Sequence, residues 1–152
     1  MNIEKHLSEL GIILPEAPHP LAAYVPAARS GNLLFVSGQL CLVNGELSHK
    51  GRLGREISPA QGYEAARLAA INSLAIVKQE LGSLDRVKRV VKVMGFVASE
   101  PDFYDQPKVV NGASELLAEV FGDQGRHARS AVGVNSLPLN TPVEIEVIVE
   151  FD

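Results

Sequence analysis

The stretch from Gly125 to Phe151 constrains this chain most. Valine and isoleucine alternate with polar residues through Ala128–Val134 and again through Val143–Phe151. That period-two pattern is the signature of strands with two unlike faces. In the second run Val143, Ile145, Val147, Val149 and Phe151 share one face, while Glu144, Glu146 and Glu150 share the other. Residues 135–142 carry Pro138, Asn140 and Pro142 and read as the turn between them. Arg129 enters the first strand and Glu144 opens the second. Read as a strand pair, the two runs hold a cation and a carboxylate close together on rigid backbone, as a small-molecule site requires.

An apolar strand face has to be covered, and two helical patterns can cover it. Ser58, Pro59 and Gln61 make an N-cap, a first-position proline and a capping box. Tyr63, Ala66, Ala70, Leu74, Val77 and Leu81 then recur at helical spacing, and Gly82 ends the run. A second helix is predicted from a cap at Asp105 to Gly122, with Val109, Ala113, Leu116, Leu117 and Val120 on its inner face. A short helix over 2–10 has Asn2 as cap, Ile3, Leu7 and Leu10 on one face, and Gly11 as its stop. Residues 14–20 hold three prolines and are expected to be extended or irregular.

Strands are predicted over Tyr24–Arg29, Leu33–Leu42 and Val87–Ala98, with a hairpin signal at Asn44-Gly45 and a loop over 45–57 that has room for one short strand. The strand over 33–42 is apolar on both faces, which suits a central or doubly covered position. Gly95 marks a bulge or a close approach. The chain is thus an α/β (α+β) protein with two helices on one face of a sheet. The open face carries Glu144 and Glu146, and also Leu34 with Val36 or Leu33 with Phe35. A partly apolar open face marks an interface, so a homo-oligomer is expected.

Length and composition narrow the function. A chain of 152 residues suits a single domain, here 1–152, with residues 1–19 as a helical and extended extension. A net charge of −4 argues against nucleic acid, whose phosphates demand clustered cations. The basic group Arg86, Lys88, Arg89 and Lys92 alternates with valines as a solvated strand edge would. Cys41 is the single cysteine, which rules out an intrachain disulfide and two-cysteine zinc sites. The four histidines, His6, His19, His49 and His127, have no metal spacing. No metal and no cofactor are expected. No apolar run suits a signal peptide or the roughly 20 residues of a membrane span. The expected location is the cytoplasm.

Several short motifs together resemble one family. They are Tyr24; Ser37-Gly38-Gln39 after an apolar strand; Phe96-Val97 before Asp102-Phe103; and Val110-Asn111. Ala128-Arg129-Ser130, Leu137-Pro138 and Val143-Glu144-Ile145-Glu146 complete the set. Over roughly residues 20–152 the chain is similar to the YjgF/RidA family of reactive-intermediate deaminases, also labelled endoribonuclease L-PSP. The resemblance implies a chorismate-mutase-like fold and a homotrimeric, barrel-like assembly with clefts between subunits. It implies that Arg129 grips the carboxylate of a 2-imino or enamino acid, and that Glu144 positions or polarises the attacking water. Tyr24, Ser37, Gly38, Asn111, Ser130 and Ala131 would line the cleft. Two positions depart from the family pattern. Ala131 stands where a cysteine is frequent, and Ala22-Ala23 where Gly-Pro is usual.

Plainer roles compete at each position. Arg129 could be an ion-pair partner of Glu144, and Glu146 and Glu150 a solvated strand face. Ser37 has no Asp/His partner in sequence and reads as a cleft-lining hydroxyl. His127 would share the face of Arg129 and is a candidate base. Cys41, between Leu40 and Leu42, reads as a buried small residue. Three functions follow: a hydrolase of imino or enamino acids, a non-catalytic binder of small carboxylates, and a ribonuclease. The last is disfavoured by acidity and by the lack of a basic groove or aromatic stacking platform.

Overall fold

Local signals place the helices. The computed structural model describes residues 2–17 and 23–152. Helix α1 (Ile3–Glu9) starts on Asn2, whose side chain accepts from the Lys5 amide at 2.9 Å. Gly11 takes φ +71° beyond its end. Ile3 and Leu7 are buried, but Leu10 is exposed, because α1 meets the body only through its first turn and the Leu7 side. Helix α2 (Pro59–Leu81) has the expected capping box at both Ser58 and Gln61 and a left-handed Gly82 at its end. Helix α3 (Gln106–Phe121) runs into Gly122. Asp105 precedes α3 without capping it by its side chain; its carboxylate lies 3.7 Å from Lys108 Nζ instead. The expected extended run over 14–20 is described only as far as Ala17. Pro18 to Pro20, His19 and Ala22 lie outside the described residues.

The strands are β1 (Ala27–Ser30), β2 (Leu33–Gln39), β3 (Leu42–Val43), β4 (Glu46–Leu47), β5 (Val87–Ala98), β6 (Ala128–Val134) and β7 (Val143–Phe151). Tyr24 precedes β1 rather than forming part of it. Asn44 and Gly45, at φ 53° and 82°, close the small β3–β4 hairpin. Both central residues of such a turn need positive φ. The main sheet runs β1-β2-β7-β5-β6. Strands β5 and β6 are parallel and the other neighbours antiparallel.

This order corrects the reading of β6 and β7 as a strand pair. Strand β5 lies between them. The physical reason is the β5–α3–β6 crossover: a helix of this length carries the chain back over the sheet to a parallel neighbour. The basic group is corrected in part. Strand β5 is internal from Lys92 onward, where β6 begins to pair, and only the segment before Lys92 is an open edge. There Lys88 and Arg89 are exposed, while Arg86 binds the Leu81 and Asp152 carbonyls and lies over the Phe151 ring.

One face of the sheet carries the helices. Val90, Val93, Val97, Ile145, Val147 and Val149 meet Leu74, Val77, Val109, Leu116 and Leu117 in a single core, all but excluded from solvent. Each such side chain contributes about 1.5–3 kcal/mol. Glycines set how close the layers sit. A Cβ on Gly95 of β5 would come within 2.4 Å of Val110 on α3. A Cβ on Gly112 of α3 would come within 2.0 Å of the Tyr63 carbonyl on α2. The opposite face is open, and it is Leu33 and Phe35, not Leu34 and Val36, that it carries: Leu34 and Val36 are buried. Phe35 and Val132 remain 42% and 41% exposed there, which makes the open face apolar in part. Among the described residues no helix is long and apolar enough to cross a membrane.

Candidate functional site

The register puts the expected residues into two groups. Arg129 pairs with Val93, a buried residue of the helix-bearing face. Glu144 pairs with Phe96, three positions along β5 and therefore on the open face. The two strands are separated by β5, which is two strand spacings or about 10 Å. A small acid cannot touch both groups within one chain. The expected closeness of Arg129 and Glu144 is thus overturned: they share neither a strand pair nor a face.

The first group gathers around Arg129 on the outermost strand. Its Nη1 donates to Asn111 Oδ1 at 2.8 Å and to Ser114 Oγ at 3.2 Å, both on α3. Among the described residues no carboxylate pairs with this guanidinium, so the ion pair with Glu144 does not form. Ser114 Oγ lies 2.8 Å from His127 Nε2, and His127 Nδ1 lies 2.7 Å from the Gly125 carbonyl. Burial holds the His127 imidazole below its ordinary pKa; the Gly125 carbonyl opposes the shift and the Arg129 charge adds to it. An open cavity of about 320 Å³ is lined by Ser114, Glu115, Arg126, His127 and Arg129. Ala131 sits two residues along, opposite Gly95, and packs against the core. Ser130 pairs with Met94 and turns to the open face. Asn111 and His127 therefore join Arg129, Ala131 flanks it, and Ser130 does not.

The second group lies where β2 meets β7. Gly38 has no side chain, and the space a Cβ would take is occupied by the Glu144 carboxyl, 2.9 Å away. The β2–β7 register slips between Val36 and Gln39, which opens room for that approach. Burial pushes the Glu144 carboxyl above the usual carboxylate range, and the charge of Glu146 raises it further. Ser37 Oγ donates to the Val25 carbonyl at 2.6 Å, and its amide donates to the Pro26 carbonyl at 2.8 Å. The hydroxyl thus fastens the 24–26 segment to β2. Tyr24, Phe35, Ser37, Glu146 and Ile148 line a cavity of about 440 Å³. Glu150 takes a hydrogen bond from Asn32 at 3.0 Å and Glu146 is exposed, as expected of a solvated strand face. Cys41 is buried against Thr141.

Ser114 was not among the residues singled out by sequence. Asn111 and Ser114 stand three apart on one helix face, but that spacing alone does not say that both reach Arg129.

Comparison with known proteins bears on the family and the fold. The family model described as YjgF/chorismate_mutase-like matches residues 4–151. Protein TCP17 of Trypanosoma cruzi is 44% identical over 152 residues, covering 99% of this chain and 95% of its own length. The 2-iminobutanoate/2-iminopropanoate deaminase of Dermatophagoides farinae is 32% identical, covering 93% of this chain and 95% of its own. The crystal structure of Atu1372 from Agrobacterium tumefaciens, a protein of unknown function, superposes with a TM-score of 0.92 at 52% identity. It covers 99% of this chain, which in turn covers 92% of that one. The fold and site define an α+β protein of the chorismate-mutase-like kind. The chain belongs to the YjgF/RidA family.

Proposed function

We propose that the protein hydrolyses 2-imino or enamino acids to 2-oxo acids and ammonia, in clefts formed between copies of the chain. The observation that carries this reading is Arg129: a guanidinium oriented by neutral acceptors and, among the described residues, left without a counter-charge. Such a group is ready to take a carboxylate through two parallel donors. The open, partly apolar sheet face supports assembly, and a homotrimer accounts for it. In that assembly the Arg129 group of one copy faces the Tyr24, Ser37, Gly38 and Glu144 group of the next. Water adds to the C=N carbon as the Glu144 carboxylate takes its proton and passes it to the nitrogen; the carboxylate then moves the hydroxyl proton to the nitrogen as well, and ammonia leaves as the C=O bond forms. Orientation supplies much of the rate.

An amino acid oxidase generating a 2-imino acid in situ provides the test. The protein accelerates imine decay, and Arg129→Ala removes the acceleration. No acceleration, or acceleration that survives Arg129→Ala, overturns the assignment. The second reading is a binder of 2-oxo acids without turnover, supported by Ala131, an inert side chain beside Arg129. It predicts a thermal shift with 2-oxo acids, lost in Arg129→Ala, and no change in imine decay.

A further inference from the structure

With the His127 ring neutral, the hydrogen bonds behind Arg129 have a single possible direction. A carbonyl oxygen only accepts, so His127 Nδ1 carries the proton that bonds Gly125, 2.7 Å away. In the neutral ring Nε2 is then an acceptor, and the Ser114 hydroxyl donates to it across 2.8 Å. That leaves the lone pairs of Ser114 Oγ facing the guanidinium, which donates to them at 3.2 Å. The chain therefore runs Arg129 to Ser114 to His127, with Asn111 Oδ1 as a second acceptor on the same Nη1. Every acceptor is uncharged.

We infer that Ser114 and His127 are positioning residues: they aim the Arg129 guanidinium while leaving its charge free for a substrate carboxylate. This rests on the proposed function, and it extends that reading to two residues that act through Arg129. A carboxylate in place of Ser114 would hold the guanidinium as firmly but neutralise it, and would compete with the ligand. A protonated His127 would turn the chain around. Nε2–H and Nη1–H would both donate to Ser114 Oγ, and two cations would face each other in a half-buried site. The lowered affinity of His127 for a proton fits the neutral ring this arrangement needs. The other charged side chains lining the cavity are Glu115 and Arg126, both at its exposed rim.

The test uses pyruvate as the probe, titrated by NMR into the full-length protein. Ser114→Val removes the hydroxyl while keeping the shape of threonine, and it weakens pyruvate binding about fivefold; Ser114→Thr stays within about twofold of wild type. His127→Leu weakens it comparably. In imine hydrolysis the loss falls on KM and leaves kcat, because the carboxylate is held equally before and during the reaction. Nitrogen NMR of the unaltered protein finds His127 neutral, with the proton on Nδ1. An Nε2–H tautomer, or equal pyruvate binding in Ser114→Val and Ser114→Thr, overturns the inference. Pyruvate binding that persists in Arg129→Ala overturns the proposed function itself. Loss in Arg129→Ala with no effect at Ser114 sinks only the positioning role.

Discussion

The Arg129 and Glu144 groups solve opposite problems by opposite means. Arg129 is oriented without being paired: its neighbours on α3 are neutral oxygens, and among the described residues no carboxylate reaches it. Glu144 is pushed toward its neutral form: burial under Gly38 and the nearby Glu146 both penalise the carboxylate. In the proposed reaction the first would hold an anion and the second would exchange a proton. Each is left unfulfilled by its own chain, because the two lie on different faces of the sheet. A residue that a fold orients but does not neutralise is a stronger pointer to function than its type alone.

The contrast can be broken at its scaffold. Gly112→Ala places a Cβ against the Tyr63 carbonyl, a backbone group that cannot swing away. It costs about 3 kcal/mol or more in denaturant unfolding, because α2 and α3 must separate. The proton-exchanging side is sharpened by Glu144→Gln, which lowers kcat for imine hydrolysis about 100-fold and barely moves KM. Arg129→Ala acts on binding, weakening 2-oxo acids about 30-fold, the loss of a charged hydrogen-bonded contact, and with it goes the acceleration at sub-saturating imine. Its folding stability stays within about 0.5 kcal/mol of wild type.

The next effect is one of pH. The folded His127 binds its proton less tightly than the unfolded chain does, so the unfolded state takes up more protons below the ordinary imidazole range. Stability from this site is complete at neutral pH and falls as pH drops through that range. A His127→Gln variant, compared by thermal melts across pH, lacks this decline. The smallest effect is at Gly38→Ala, whose Cβ meets only the movable end of Glu144. It costs less than about 1 kcal/mol of stability and shows itself in kcat instead.

The elements were legible in the sequence where a local signal marked them: the Ser58–Gln61 box, Gly82, and the Asn44-Gly45 turn. The partners were not. Alternation tells which side chains of β7 share a face but not which strand lies beside it. Reading β6 and β7 as neighbours followed from their closeness in the chain. The corrective signal was the strand–helix–strand order from Val87 to Val134, which demands parallel pairing of β5 with β6. The residues around Arg129 were half legible. Asn111 and His127 could be named, whereas Ser114 needed the depth at which α3 lies on the sheet.

That depth is set by atoms that are missing. Gly95 leaves room for Val110 to sink onto β5, and Val110 precedes Asn111 in the chain. Enlarging Gly95 would lift the helix like a hinge pin driven from below, carrying Asn111 and Ser114 off the guanidinium together. A misaimed Arg129 can thus arise from a position that does not touch the arginine. Screens that sort variants by distance from the cleft would file it in the wrong drawer.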